Sequence, residues 1–324
     1  MKRRQKDEDA VAPVIAGLLV LAIIVTAMSV YFNTYVPSLK AEAEIEHLSD
    51  VQSEFLSFSS DLENAVWKKS EGSISRNFEL GGGDVFLSSI KSGGILSVEN
   101  SSELFGFNVT YESPPDSEPV IPQTTHDFNS SLVDFSYTPL SNFWQDQGYK
   151  WQYGYVNLTT EYGEETPLQY TDMKKVLDEI NESGFFSSFF DLDCQSEQMF
   201  DESGTVQPGI NCTEVTLNIV SLKQGNDYYT SGNGVAALRL KTSINESRIY
   251  NATMVNFTIY DSGVSEINYT VNNSIIKKLS SLSGRGFNNV IVPLPENEGD
   301  PLGIEFTYPV DIAIKETDIE ISAS

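Results

Sequence analysis

VAPVIAGLLVLAIIVTAMSVYFNTYV, residues 11–36, decides how this chain is organised. It holds no Asp, Glu, Lys or Arg, and a helix of about 20 apolar residues crosses a hydrocarbon core about 30 Å thick. A transmembrane helix over 11–36 is therefore expected. Directly before it stands MKRRQKDEDA, residues 1–10, with Lys2, Arg3, Arg4 and Lys6. Cations are retained on the cytoplasmic side of a span, which leaves the remainder of the chain outside the cell. The expected localisation is the cell membrane, single-pass, with a cytoplasmic N-terminus and an extracellular C-terminal domain.

Helical patterning continues past the span through residues 37–70. Ile45, Leu48, Val51, Phe55, Phe58, Leu62 and Val66 recur at spacings of three or four and draw one apolar stripe, with Glu42, Glu44, Glu46, Asp50, Glu54 and Asp61 elsewhere. A helix from Val11 to Trp67 would be roughly 85 Å long at 1.5 Å per residue. Pro37 should kink it near the outer membrane surface.

After Lys69 the pattern shortens to alternating runs bounded by Gly, Ser, Asn and Pro, which reads as strands. In FGFNVTY, Phe105, Phe107, Val109 and Tyr111 share one face and Asn108 takes the other; TMVNFTIY repeats this around Asn256, and EINYTV around Asn268. Ile304, Phe306, Tyr308, Val310, Ile312 and Ile314 hold one parity in the final run, and Pro309 inside it marks an edge or a bulge. Two short helices are expected, TDMKKVLDEINESG with Asp172 near its N-cap and NNSIIKKLSSLSG ending at Gly284. Residues 113–125, SPPDSEPVIPQTT, read as a linker or long loop. The fold class is α+β: a long N-terminal helix, transmembrane and then amphipathic, followed by a β-rich, sandwich-like ectodomain of one or two lobes. The expected divisions are 1–10, 11–36, 37–70, a first lobe at 71–165 and a second at 166–324.

A net charge of −26 and a pI near 4.3 argue against nucleic acid as a partner, because phosphate binding rests on clustered Lys and Arg. Cys194 and Cys212 are the only two cysteines. Outside the cell they would form one disulfide, contributing about 3 kcal/mol in the chain-entropy model; two buried free thiols are the other reading. N-x-[ST] sequons stand at Asn100, Asn108, Asn129, Asn157, Asn181, Asn211, Asn245, Asn251, Asn256, Asn268 and Asn272, a density above chance that points to a glycosylated surface protein.

The leader junction resembles the class III signal peptide of type IV pilins, in particular the archaeal pilin N-terminus. The residues that carry this are Asp9-Ala10 followed by Val11-Ala12-Pro13-Val14-Ile15-Ala16-Gly17, with Ala12 and Ala16 in place of the commoner Ser and Gly. The resemblance implies cleavage by a prepilin peptidase between Ala10 and Val11, with Asp9, Ala10 and Val11 as the processing residues and other pilin-like subunits as partners. Pro13 fits physically, since in the first turn of a helix beginning at Val11 its missing N–H would be unpaired anyway. ISRNFELGGG, NFWQDQGYKWQYGYVNL, VTLNIVSL and SGNGVAALRLK look like segments of uncharacterised archaeal pilin-like proteins with long β ectodomains, a resemblance that implies no activity. An ordinary single-pass anchor and a secretory signal cut after Ala27-Met28-Ser29 are the alternatives.

Catalysis has little footing. His47 and His126 are the only histidines, and H-E-x-x-H, G-x-S-x-G and P-loop motifs are missing from the sequence. Ser88-Ser89-Ile90-Lys91 matches S-x-x-K without its companion motifs, and Gly81-Gly82-Gly83 leads into Asp84 rather than a cation, so it reads as a turn. Asp191, Asp193, Asp201 and Glu202 lack EF-hand spacing and read by default as a solvated acidic loop, with Ca²⁺ binding as the other reading. No enzyme activity, cofactor or metal is expected. The favoured function is a structural or adhesive subunit of a cell-surface type IV pilus-like filament, of the minor-pilin or pseudopilin kind; the alternative is a monomeric anchored glycoprotein that binds a ligand through its β head.

Overall fold

The computed structural model describes every residue except 1–3, 84, 86, 87, 89, 113–121, 126, 161, 162, 164, 183, 201–205 and 294–301, with side chains also set aside at 4–12, 122, 181, 198–200 and 206–209. A helical rod opens the chain: α1 (Arg4–Val30), a π-helical turn (Tyr31–Tyr35) and α2 (Val36–Lys68) follow one another without a break. Where a kink is expected at Pro37, a π turn lies one turn earlier. Proline has no N–H for the carbonyl four residues back, and the wider turn before it absorbs the mismatch. The helix also starts before Val11, so in the unprocessed chain Pro13 sits inside α1 rather than in its first turn. Lys69, at φ 47°, ends α2 in the left-handed conformation and donates its N–H to the Ala65 carbonyl at 3.0 Å.

The strands are β1 (Gly72–Glu79), β2 (Gly93–Glu112), β3 (Pro122–Thr124), β4 (Phe128–Leu140), β5 (Gln147–Gln152), β6 (Tyr155–Thr160), β7 (Glu165–Pro167), β8 (Phe190–Phe200), β9 (Val206–Gly232), β10 (Val235–Ile259), β11 (Val290–Ile291) and β12 (Leu302–Ala323). Helices α3 (Met173–Glu182) and α4 (Ser265–Gly284) interrupt them. All twelve strands belong to one hydrogen-bonded sheet, with a main path β1-β10-β12-β9-β2-β4-β5-β6-β7. β2 pairs with β9 at one end and with β10 at the other, so the sheet bends back on itself. Strands from both sides of the expected 165/166 division thus share one sheet, and one hydrophobic core runs through them.

Strand lengths explain the bending. β9 runs 27 residues and β10 runs 25, against about 5–6 for an ordinary strand. Register shifts in the β10–β12 ladder fall at Ile249–Met254, opposite Glu305–Ile312. Pro309 lies in this bulge, not at an edge, because β12 is central between β10 and β9. Tyr308 consequently leaves the inward set and is exposed, while Ile304, Phe306, Val310, Ile312 and Ile314 stay buried.

Several sequence expectations change. EINYTV is helix, the start of α4, where Ile267, Val271, Ile275, Leu279 and Leu282 form the buried stripe and Tyr269 is exposed. A four-residue spacing competed here with a two-residue one, and the longer pattern prevailed. Residues 122–124, assigned to the linker, pair with β2 as β3, while 113–121 lie outside the described residues. Asp172 does cap α3, its carboxylate accepting from the Lys175 N–H at 3.0 Å.

The second half of the rod belongs to the head. Leu48, Val51, Phe55, Phe58, Leu62 and Val66 are buried, each worth about 1.5–3 kcal/mol by transfer. Phe55 meets Phe78 at 5.4 Å and Phe135 at 5.5 Å, and Phe135 stacks on Trp151 at 5.1 Å. Polar bonds fix the register: Tyr149 donates its hydroxyl to the Leu48 carbonyl at 3.0 Å, and the Trp151 indole N–H donates to Ser59 Oγ at 3.0 Å.

Candidate functional site

Two features stand out, an uncovered apolar helix and the polar joint where it enters the head. From Val14 to Tyr35 the side chains are exposed, save a half-buried Tyr31, and none of the most apolar window is covered by the protein. One helix, Pro13–Lys68, is long and apolar enough to cross a membrane. Thr26 and Asn33 return their polar groups to carbonyls one turn back, Thr26 Oγ1 to Ala22 at 2.8 Å and Asn33 Nδ2 to Ser29 at 2.8 Å, which suits an apolar surrounding.

At the joint the stripe departs from expectation. Ile45 is exposed and Glu44 is fully buried, because stepping back four residues at a time from Leu48 reaches Glu44 and then Lys40. Lys40, Glu44 and His47 are buried together. The Lys40 ammonium donates to the Ile90 carbonyl at 2.5 Å and lies 4.1 Å from the centre of the Phe143 ring. His47 Nδ1 is 3.2 Å from Glu44 Oε1, and Nε2 is 2.6 Å from the Glu79 carbonyl. The Glu79 carbonyl can only accept, and so can Glu44 while ionised, an arrangement that favours the doubly protonated imidazolium of His47.

Titration agrees with the geometry. Burial pushes the His47 pKa down, yet the Glu44 carboxylate and the Glu79 carbonyl outweigh it and the net shift is upward. Burial pushes Glu44 up, and hydrogen bonds from His47 and Ser92 reverse it to a net lowering. Glycine makes the close loop around this joint possible: Gly83 has φ +76°, and a Cβ there would meet the Phe143 ring at 2.6 Å. A cleft of about 280 Å³ opens beside it, lined by His47, Asp50, Glu54, Asn77 and Glu79 among others. Its walls are acidic and it gathers no set of convergent ligating or nucleophilic groups. Among the described residues there is no group of three or more His, Cys, Asp or Glu that could hold a metal.

The sequence-predicted residues fall as follows. Asp9, Ala10 and Val11 lie on α1, and their side chains are outside the described set. Cys194 and Cys212 are bonded, with Cα atoms 5.9 Å apart on the paired strands β8 and β9. Asp191 and Asp193, read from sequence as a solvated loop, sit on β8 and pair with Lys278 at 2.6 Å and Arg285 at 2.8 Å, while 201 and 202 are not described. His126 and Ser89 are also outside the described residues, and Ser88 makes only an isolated bridge to Val85.

The sequons divide by exposure. Asn100 and Asn245 are exposed; Asn108, Asn129, Asn211, Asn251, Asn256, Asn268 and Asn272 are half-buried; Asn157 is 3 % exposed; the Asn181 side chain is not described. Asn108 and Asn256 stand opposite each other across β2 and β10, with Asn256 Nδ2 donating to Asn108 Oδ1 at 3.4 Å. Asn268 instead holds the start of α4, its Oδ1 accepting from Ser262 Oγ at 2.7 Å.

Comparison with protein-family models, curated proteins and solved structures finds no match to the chain.

Proposed function

We propose that the chain is a structural or adhesive subunit of a type IV pilus-like surface filament, inserted by its N-terminal helix and processed by a prepilin peptidase. One observation carries the reading: a single rod is bare and apolar over its first half and buried in its own head over its second. Such a rod is stable only where something else covers the bare half, lipid before assembly and neighbouring helices after it. The leader junction at Asp9-Ala10-Val11 supports the same reading. Pro13 cannot donate to the Asp9 carbonyl, which weakens helix hydrogen bonding next to the expected scissile bond.

Packing restricts which surface can assemble. Leu48, Phe55 and Leu62, on the apolar stripe of the second half of the rod, are consumed by the head. Subunit contacts along the rod are therefore assigned to residues 11–36, where Ala16, Gly17 and Ala22 allow close approach. A sandwich-like head fits the way β2 serves both β9 and β10, and glycans on exposed sequons fit an extracellular surface. Intact mass of the membrane-extracted protein tests the processing step. A mature terminus at Val11, abolished by Ala10→Leu, is expected; a terminus at Met1 or Val30 refutes it.

A further inference from the structure

We infer that the underside of the β head is a lipid-docking surface seated in the headgroup layer of the outer leaflet. This rests on the anchor reading above and adds to it a second, peripheral membrane contact. The evidence is the level at which the head meets the rod. Val14 to Tyr35 spans about 32 Å at 1.5 Å per residue, close to the hydrocarbon thickness of about 30 Å. The very next residue, Val36, is only 7 % exposed, the first buried residue of the described rod. No spacer separates the end of the apolar span from the start of the head.

Two loops crowd the rod at this level, and a third meets it farther out. Lys40, about 7–8 Å beyond Tyr35 along the axis, binds the Ile90 carbonyl and covers Phe143. Gly93 pairs with Leu140, and Glu79, whose carbonyl holds His47, pairs with Val235 at the β9–β10 tip. The polar layer on each side of a bilayer is about 5–8 Å deep, so the two loops that Lys40 holds lie at its depth, whereas the Val235 tip, met through His47 about 18 Å beyond Tyr35, lies above it. The loops that Lys40 holds present large apolar side chains: Ile90 is 68 % exposed, Trp144 52 % and Leu140 41 %. An exposed indole beside aliphatic side chains suits the interface, where its ring is buried and its N–H stays wet. The patch is mixed: exposed Asp146 follows Trp144 by two residues and exposed Glu79 pairs with Val235, so its apolar side chains lie among carboxylates.

Tryptophan placement supplies a built-in test. Trp67 is equally exposed, at 52 %, yet lies about 48 Å beyond Tyr35, and Trp151 is buried in the core. The full chain is reconstituted into phosphatidylcholine vesicles containing a lipid with a nitroxide at the shallow end of its acyl chain. Trp67→Phe and Trp144→Phe variants are read in parallel, with iodide as the aqueous quencher. Trp144 emission should be lost to the nitroxide lipid and spared by iodide, and Trp67 should behave in the opposite way. Quenching of Trp144 by iodide alone overturns the inference, as does protection from both quenchers, which would mean that protein covers the patch. Flotation of the vesicles separates the two readings: if the protein does not float, the anchor itself fails and this inference with it, whereas floating protein with Trp144 in water defeats the docking surface alone.

Discussion

Replacing His47 with leucine should damage the head more than any other change at the joint. Glu44 is fully buried and His47 is the cation that answers it at 3.2 Å, so His47→Leu strands a carboxylate in the interior and frees the Glu79 carbonyl. Breaking a buried pair in this way costs about 3–5 kcal/mol, a fall in Tm on the order of 10 °C. The double change Glu44→Leu with His47→Leu removes both charges and should recover most of the loss, since well-packed apolar replacements of buried pairs are often neutral. Near-ultraviolet circular dichroism of the full chain in detergent, followed against temperature, reads both.

The pH dependence has a definite sign. His47 is raised above 6.5 when folded, so its contribution is complete below that value and fades as pH climbs through the raised one. Glu44 is lowered below 4.5, so its contribution is complete above that value and is lost as pH falls through the lowered one. Both act fully between 4.5 and 6.5, and wild-type Tm should decline on the alkaline side of that window, while the double variant loses this dependence. A His47→Leu protein as stable as wild type, or a wild-type Tm that rises through mild alkalinity, would refute the paired-ion account.

Other outcomes follow from burial and bonding. Glycopeptide mass spectrometry should find sugar at Asn100 and Asn245 and none at Asn157, which is packed in β6; a modified Asn157 would contradict the packing of β5–β7. Changing Cys194 and Cys212 to serine should cost about 3 kcal/mol, read as a lower denaturant midpoint, and an unchanged midpoint would remove the disulfide from the stability account. Gly17→Leu should leave insertion and the head untouched, because nothing lies within 4 Å of a Cβ there, while lowering recovery in filaments.

Much of the layout is legible in the sequence because it rests on long patterns. A charge-free run of 11–36 and an apolar stripe from Leu48 to Val66 each extend over many turns, and both coincide with the rod. Errors arise where two periods compete over few residues. EINYTV satisfies strand alternation, but Ile267, Val271, Ile275 and Leu279 satisfy helix spacing over a longer reach. Lys40, Glu44 and His47 were obscured because charged residues are counted as solvent-facing; their spacing back from Leu48 was the available signal. The Trp144 and Ile90 loops come together only through packing around Lys40, which sequence separation hides.

Recovery of the wild-type protein in filaments sheared from the cell surface tests the central claim most directly. The account predicts mature protein beginning at Val11 in the sheared fraction, and its disappearance from that fraction in the Gly17→Leu variant while the membrane fraction still holds it. Wild-type protein confined to the membrane fraction as a monomer would contradict the account and leave a single-pass anchored surface protein in its place.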